Sequence, residues 1–574
     1  MQSCQCSQRC VAASVFSPRV ASAHGARVST HADAARVIQL AHAVISGTSL
    51  LEDETPTTYR EALESAQSSD WCAAMDKEIK ACEAQNTWRV VPRNSLPPGA
   101  NVLPVKWVYK VKTDENGVRI QFKARVTPKG FKQKYGVDYF EVFAHTGKYK
   151  VLRICLSIAA AMNMEINQLD VPSAFVRAKL DEEVFMEMPE GYAVNGMVCA
   201  LDGSLYGLKQ SPRNWYRLLS SFIVSLGWRA TVSDPCLFFK HSRAGRLMML
   251  FVFVDDMQGF YESADAEEWA ETKRSLQDRF ETKDLGDSKW MLGMRITRDR
   301  AARTIKLDQE LYVTKALERY HLDDCRTART PAEVNNGRQE DVNDGGSRPV
   351  PLLPYQEKIG VLLYAAISTR PDISYAVNRL SRHVQAPLER HMNAANRVFR
   401  YLAGTRDIGL TFGRESRSDA MRIDAFSDAD WASDKGDRKS ISGWIARVNG
   451  DPISWQSKKQ TSVALSTCES ELYAECAATQ ELQWLRGLMK ELGVKRRTAI
   501  LYGDNQSAIA TAKNGVRTER SKHIDIKYSF ITDVIERGRM EMKWIPTQQQ
   551  QADILTKALN GPQFVILRKK IMSA

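Results

Sequence analysis

"MLFVFVDDMQGFYE", Met249 to Glu262, is the stretch on which the fold turns. Six apolar residues, Met249 to Val254, run straight into two adjacent aspartates, Asp255 and Asp256. Neighbouring carboxylates repel, and burying one beside Phe253 and Val254 costs free energy. The pattern predicts a buried β-hairpin with both carboxylates at its tip. Such a tip is stable when a divalent cation neutralises it, because hard cations prefer oxygen ligands. One pair rarely suffices, and "EINQLDVPSAF" (Glu165 to Phe175) offers a third carboxylate. Asp170 ends an apolar strand that can lie beside the hairpin. Three carboxylates at strand ends can hold two Mg²⁺ about 4 Å apart, an arrangement suited to in-line phosphoryl transfer.

Composition bounds the setting. A chain of 574 residues is too long for one core, which predicts roughly two to four domains. The formal net charge of +12 points to a polyanionic partner, most simply nucleic acid. The 11 cysteines are scattered, without paired CxxC motifs or Cys/His finger spacing. That predicts no structural zinc and fits a reducing compartment. No apolar run reaches about 18 residues, so no membrane span is expected. Residues 1–50 read as a disordered leader or a miscalled start. Met1 to Ala32 carries no acid, a composition also found in organelle transit peptides.

Helical spacing through Ala62, Trp71, Met75, Ile79 and Cys82 gives a helical lead-in over 51–100. Pro92, Pro97, Pro98 and Gly99 break it. "VLPVKWVYKVKTDENGVRIQFKARVTPKG" then alternates like two strands around a Glu115-Asn116-Gly117 turn. A buried helix ("KVLRICLSIAAAMNM"), the Asp170 strand, a helix ending at Gly227 and the strand "RLMMLFVFV" complete a unit over 101–325. "TPAEVNNGRQEDVNDGGSRPVPLLP" (330–354) reads as a linker or long loop. It opens a linker and connection region over 326–420, helical with a break at Arg370-Pro371. A C-terminal domain over 421–574 starts with strands and continues into a long helix over 469–492.

That last domain carries four more acids at strand or helix ends. "AFSDADW" ends a strand at Asp428, and "STCESELYAE" places Glu471 in the first turn of the long helix. "ILYGDNQSAI" ends a strand at Asp504, and "TQQQQADILTKAL" places Asp553 in a late helix. This Asp–Glu–Asp–Asp order on alternating strands and helices resembles ribonuclease H.

The motifs together resemble the Pol region of copia-type LTR retrotransposons. "KWVYKVK", "QLDVPSAF", "LDEEVFMEMPEGY", "SLYGLKQSPRNWY", "DPCLF", "FVDDM" and "MLGM" occur in the expected order. "SDADWASDKGDRKSISGW", "SKKQTSVALSTCESELYAE", "DNQSAI" and "KHIDIKYSFI" follow. The resemblance runs from about Thr57 to about Leu559. It implies an α/β and α+β multidomain chain: a right-hand polymerase of fingers, palm and thumb, followed by a ribonuclease H-like α/β domain. The implied activity is RNA-directed DNA synthesis with cleavage of the RNA in RNA–DNA hybrids. The implied cofactor is Mg²⁺, two ions per active site, with Mn²⁺ as the alternative. The implied partners are an RNA template, a DNA or tRNA primer, the RNA–DNA hybrid and dNTPs. Self-association, or association with other retrotransposon proteins, is a further expectation. The implied location is a cytoplasmic virus-like particle, or the nucleus.

Roles carry over residue by residue. Asp170, Asp255 and Asp256 match the polymerase metal site, with Asp170 and Asp255 as direct ligands and Asp256 in support. Phe175 matches an aromatic gate under the incoming sugar, which favours dNTPs over NTPs. Lys123 and Arg125 match a basic finger strand that clamps the triphosphate, Arg with a bidentate fork. Gln210, in "GLKQSP" (207–212), belongs to the template–nucleotide pocket. "DLGDSKWMLGM" matches the hairpin that grips the primer. Asp428, Glu471, Asp504 and Asp553 match the ribonuclease H metal site, ahead of their neighbours Asp430 and Glu469. His523 is a candidate proton shuttle. Lys435, Arg438, Lys439, Lys458, Lys459, Arg517, Arg520 and Lys522 form a basic surface for the hybrid.

Some residues depart from the family pattern. Phe253 stands where Tyr is usual. "FAHTGKYKVLR" replaces a stretch closer to Ser-Pro-Val-Val-Lys, and Pro128 interrupts the second finger strand. Ser529 replaces a His. No zinc knuckle, Asp-Thr/Ser-Gly protease motif or integrase core is visible, so a Pol fragment is expected. Two alternatives stand beside the enzyme: a decayed remnant that binds nucleic acid without catalysis, and an interaction protein whose Asp-Asp is a plain turn.

Overall fold

The computed structural model describes residues 55–113, 119–334, 347–415, 420–434, 436–514 and 522–572, with the backbone alone at 112, 113, 514 and 522–525. The expected leader over 1–50, the Glu115-Asn116-Gly117 turn, Lys435, Arg517 and Arg520 lie outside the described residues, as do the side chains of Lys522 and His523.

The alternating segment forms an antiparallel ribbon. Val105–Thr113 pairs with Arg119–Pro128, with Val108 opposite Arg125 and Lys110 opposite Lys123. Pro128 is the last residue of its strand, so the ladder ends where its missing N–H would be needed. The ribbon packs on the helix Ser68–Ala84, which buries Trp71, Met75, Ile79 and Cys82. Trp71 meets Tyr109 and Phe122 edge-on, an arrangement the ring quadrupoles favour.

The central sheet explains the opening stretch. Its order is Lys283–Asp287, Glu165–Asp170, Asp256–Tyr261, Leu247–Phe253, Leu237–His241, Arg229–Ala230. Leu247, Met249 and Phe251 face one core, while Met248, Leu250 and Val252 face another. A strand covered on both faces must be apolar throughout, not alternating. The helix Tyr149–Met162 covers one face and ends on Asn163 in the left-handed region (φ 55°). The helices Ser211–Ser225 and Ala266–Phe280 cover the other. Lys283–Asp287 pairs with the Asp170 strand, with Lys283 opposite Asp170. The "DLGDSKWMLGM" segment is therefore split, because Trp290–Met291 turns away to pair with Met294–Asp299.

The C-terminal sheet has the order Asp451–Lys459, Ile441–Val448, Ile423–Ala429, Ala499–Gly503, Met540–Trp544. The first three strands are antiparallel and the last two run parallel to Ile423–Ala429. The helix Thr467–Glu491 packs across it. This is the ribonuclease H-like α/β plan that the sequence implied.

The sequence suggests separable segments, yet one apolar core runs through them. It joins Val151–Ala160 of the central helix, the helix Leu352–Ser368 and the C-terminal sheet and helices. Polar residues cross the same seam. Arg153, 5% exposed, donates to the carbonyls of Ile453, Ile367 and Ser368 and lies 4.1 Å over Trp455. Ser157 donates to Asp451, and Lys150 pairs with Glu481. Among the described residues no helix is long and apolar enough to cross a membrane.

Candidate active sites

At the first site, the hairpin of Leu247–Phe253 and Asp256–Tyr261 closes with Phe253 opposite Asp256. Only Val254 and Asp255 lie between them. Val254 adopts φ 60°, which costs a β-branched residue free energy. Two hydrogen bonds hold this turn. The Trp215 indole donates to the Val254 carbonyl at 2.7 Å, and the Val171 N–H donates to the Asp255 carbonyl at 3.0 Å. Asp170 stands directly opposite Asp256 in the neighbouring ladder. Asp170, Asp255 and Asp256 thus stand at one end of the sheet. A solitary solvated turn does not have this setting.

The electrostatics follow from the placement. Burial raises the pKa of Asp255 and the charge of Asp170 adds to it, while Arg125 and Lys123 oppose the rise. The two basic residues lie two apart on one strand, and so on one face, near enough for their charge to act on Asp255. Phe175 sits on the turn Phe175–Arg177 and is only 6% exposed, packed in the palm core. Its ring lies 4.6 Å from that of Tyr206, and the Arg125 guanidinium lies 3.9 Å over the other contact, the Tyr206 ring itself. Burial pushes the Tyr206 hydroxyl up to about 12. Tyr206 thus links the gate candidate to the finger strand, a role absent from the sequence reading. Gln210 is fully buried. It accepts from Gln133 and donates to the Asp138 carbonyl and to Glu182. It braces the loop from behind, so its own amide is already committed.

The second site is tighter. Oxygens of Asp428, Glu471 and Asp504 all lie within 4.8 Å of one another, a closeness that Asp170, Asp255 and Asp256 do not reach among the described residues. Register does this. Phe426 is level with Tyr502 on adjacent parallel strands, so Asp428 and Asp504 leave the sheet side by side. The helix Thr467–Glu491 lays Glu471 over them. Burial raises the Glu471 pKa strongly, and Asp428, Glu475 and Asp504 add to it. Oxygens crowded this closely, two of the three on buried residues, suit a hard cation. Asp430 and Glu469 are engaged elsewhere: Asp430 accepts from Ile441 N–H and Ser433, and Glu469 from the Leu465 N–H at 2.7 Å.

Asp553 lies on the 3₁₀ turn Gln551–Leu555, not on the helix expected from its sequence. Gln550 explains the difference. Its amide donates to the Ser427 carbonyl and its oxygen accepts from Ala552 N–H, which pins the segment against the central strand. Burial and the charge of Asp428 raise Asp553 to about 7. Lys557 reaches both, 2.8 Å from Asp553 and 3.7 Å from Asp428. Thr556 donates to Asp428. One turn beyond Glu471, Glu475 is 1% exposed, and burial then Asp504 push it up to about 8. Lys557, Thr556 and Glu475 are additions to the sequence-level set. Of the basic surface, Lys459 is already paired with Asp434 and Asp437.

A family model described as reverse transcriptase (RNA-dependent DNA polymerase) matches residues 85–334. The chain is 37% identical, over 91% of its length, to a retrovirus-related Pol polyprotein from transposon TNT 1-94 of Nicotiana tabacum, and covers 39% of it. It is 35% identical, again over 91% of its length, to the Pol polyprotein from transposon RE1 of Arabidopsis thaliana, and covers 35% of that protein. The chain therefore spans less than half the length of these relatives. A solved foamy viral protease-reverse transcriptase in complex with an RNA/DNA hybrid aligns with 83% of this chain and 53% of its own, at 11% identity and a TM-score of 0.44.

Proposed function

We propose that this chain, similar over 91% of its length to retrovirus-related Pol polyproteins of plant transposons, is an RNA-directed DNA polymerase joined to a ribonuclease H. It copies an RNA template from a primer with dNTPs, then cleaves the RNA of the hybrid. The observation that carries the reading is Asp170 opposite Asp256 beside the tip of a buried hairpin, with Lys123 and Arg125 close enough for their charge to act on Asp255.

Asp170, Asp255 and Asp256 would hold divalent ions at the first site, and Asp428, Glu471, Asp504 and Asp553 at the second. Bound Mg²⁺ supplies neutralisation of the carboxylates and a more acidic attacking oxygen. The chain's own residues do the rest. Arg125 and Lys123 bind the triphosphate of a nucleotide that enters between the ribbon and the hairpin. Trp215 and Val171 fix the tip, so the carboxylates are placed before substrate arrives. Phe175 and Tyr206 limit the room beside the sugar. At the second site Lys557 pairs with Asp553 and Asp428 and offsets part of their charge.

The test is primer extension on an RNA template with Mg²⁺, comparing wild type with Asp255→Asn. Extension by the wild type and its loss in the variant are expected. A wild type that extends nothing sinks the polymerase reading and leaves the nucleic-acid-binding remnant. Cleavage of a labelled RNA–DNA hybrid, lost in Glu471→Gln, tests the second site separately.

A further inference from the structure

We propose that the finger loop 129–143 is a stacking platform for the unpaired template strand ahead of the polymerase site. The inference rests on reading the chain as a template-copying enzyme. The motivating observation is an exposed aromatic row. Phe131 is 48%, Tyr135 72%, Phe140 57% and Phe143 42% exposed. Large rings at this density are costly to leave in water unless they meet a partner. Tyr135 lies 5.8 Å from Tyr139 and 6.5 Å from Phe140, both edge-on, so these three rings form one cluster.

The loop holds these rings out rigidly. Buried Asp138 accepts from Lys134 N–H and from Asn101, both at 2.6 Å. Buried Gln133 accepts from Lys209 N–H and donates to Gln210. Lys209 caps the Tyr139 ring at 4.4 Å. The loop also touches the wall of the nucleotide pocket. Gly130 lies against Gly207, where a Cβ would come 1.9 Å from the Gly207 carbonyl oxygen. Gly207 follows Tyr206, the ring under Arg125. The loop thus packs on the segment that carries Tyr206.

Charge chooses the occupant. Lys132 and Lys134 are exposed beside the rings, and Lys129 is half-buried. The acid on the loop surface, Glu141, is paired with Arg213. Aromatic faces interleaved with cations fit single-stranded nucleic acid, whose bases stack while its phosphates meet lysine. An apolar protein partner would not call for the lysines.

The experiment measures affinity of the full chain for an RNA–DNA primer–template by fluorescence anisotropy. One form is blunt, and the other carries about eight unpaired template nucleotides. The overhang is expected to tighten wild-type binding about tenfold, the yield of one stacked base. In Tyr135→Ala/Phe140→Ala that gain falls to about twofold or less, with blunt binding unchanged. Tyr135→Phe/Phe140→Trp keeps the gain, which separates stacking from misfolding. A DNA overhang gives the same gain as RNA, since stacking ignores the 2′-hydroxyl. No gain in the wild type, or an undiminished gain in the Ala variant, overturns the proposal. So does a variant that changes only the sedimentation of the chain, which would make the face a self-association surface. Binding needs neither nucleotide nor metal, so a failed extension assay leaves this result readable.

Discussion

The Arg153 guanidinium donates to the carbonyl of Ile453 at 2.6 Å, across 300 positions of sequence. Its other bonds reach Ile367 and Ser368. One buried side chain thus ties the palm helix, the connecting helix and the C-terminal sheet. Arg153→Met keeps much of the volume but leaves these carbonyls unpaired. The expected loss is on the order of 3 kcal/mol, read as a lower denaturant midpoint of the full chain. Extension and hybrid cleavage should fall together. A variant that loses one activity and keeps the other at full strength would show that the seam does not couple the two halves.

Tyr206 carries Arg125 on one contact and Phe175 on another. Tyr206→Ala removes the surface that positions both. The apparent KM for dNTP should rise about fivefold, the worth of a ~1 kcal/mol cation–π contact. Tyr206→Phe keeps the ring and should stay near wild type. Discrimination against NTPs should weaken in the Ala variant alone. Steady-state extension with dNTP and NTP series checks both points.

The parts of these sites legible in the sequence are those fixed by strand ends. Asp255 closes an apolar run, and a run buried on both faces has few places to put a carboxylate, while Asp170 ends the strand Glu165–Asp170. Asp428 and Asp504 are legible for the same reason. What tertiary contact decides was not legible. Asp553 reads as helical, and Gln550 binding the Ser427 carbonyl makes it a 3₁₀ turn. Gln210 reads as a pocket residue, and only its bonds to Gln133 and Asp138 show its amide committed. Arg153 reads as a lone charge in an apolar helix. Its partners lie in segments that sequence patterning treats as separate.

Asp451 gives the seam a pH dependence. Burial raises its carboxyl to about 7, although Ser157 donates to it. Its folded pKa lies above the unfolded one, so its contribution to stability is fully present below about pH 4. It is lost as pH rises through about 7, because the unfolded chain ionises first and the buried form must follow. Asp451→Asn cannot ionise and removes this component. The melting temperature of the variant relative to wild type should therefore rise between pH 4 and 7 and level off above. A constant difference across that range would show that Asp451 ionises normally in the fold.

Lys557 sits where positive charge is wanted at the second site. Burial opposes its protonation, but Asp428 and Asp553 more than compensate and hold its pKa above the usual lysine value. An ammonium 2.8 Å from Asp553 and 3.7 Å from Asp428 occupies space that a divalent ion also favours. Lys557→Met should then tighten Mg²⁺ binding, since a competing cation is gone. With its side chain 39% exposed, screening leaves about 1 kcal/mol, or about fivefold in affinity. Titration calorimetry on Asp255→Asn and Asp255→Asn/Lys557→Met chains, compared with and without Glu471→Gln, isolates the second site. Weaker Mg²⁺ binding in the Met variant would mean that Lys557 arranges the carboxylates instead of competing for them, and hybrid cleavage should then fall with it.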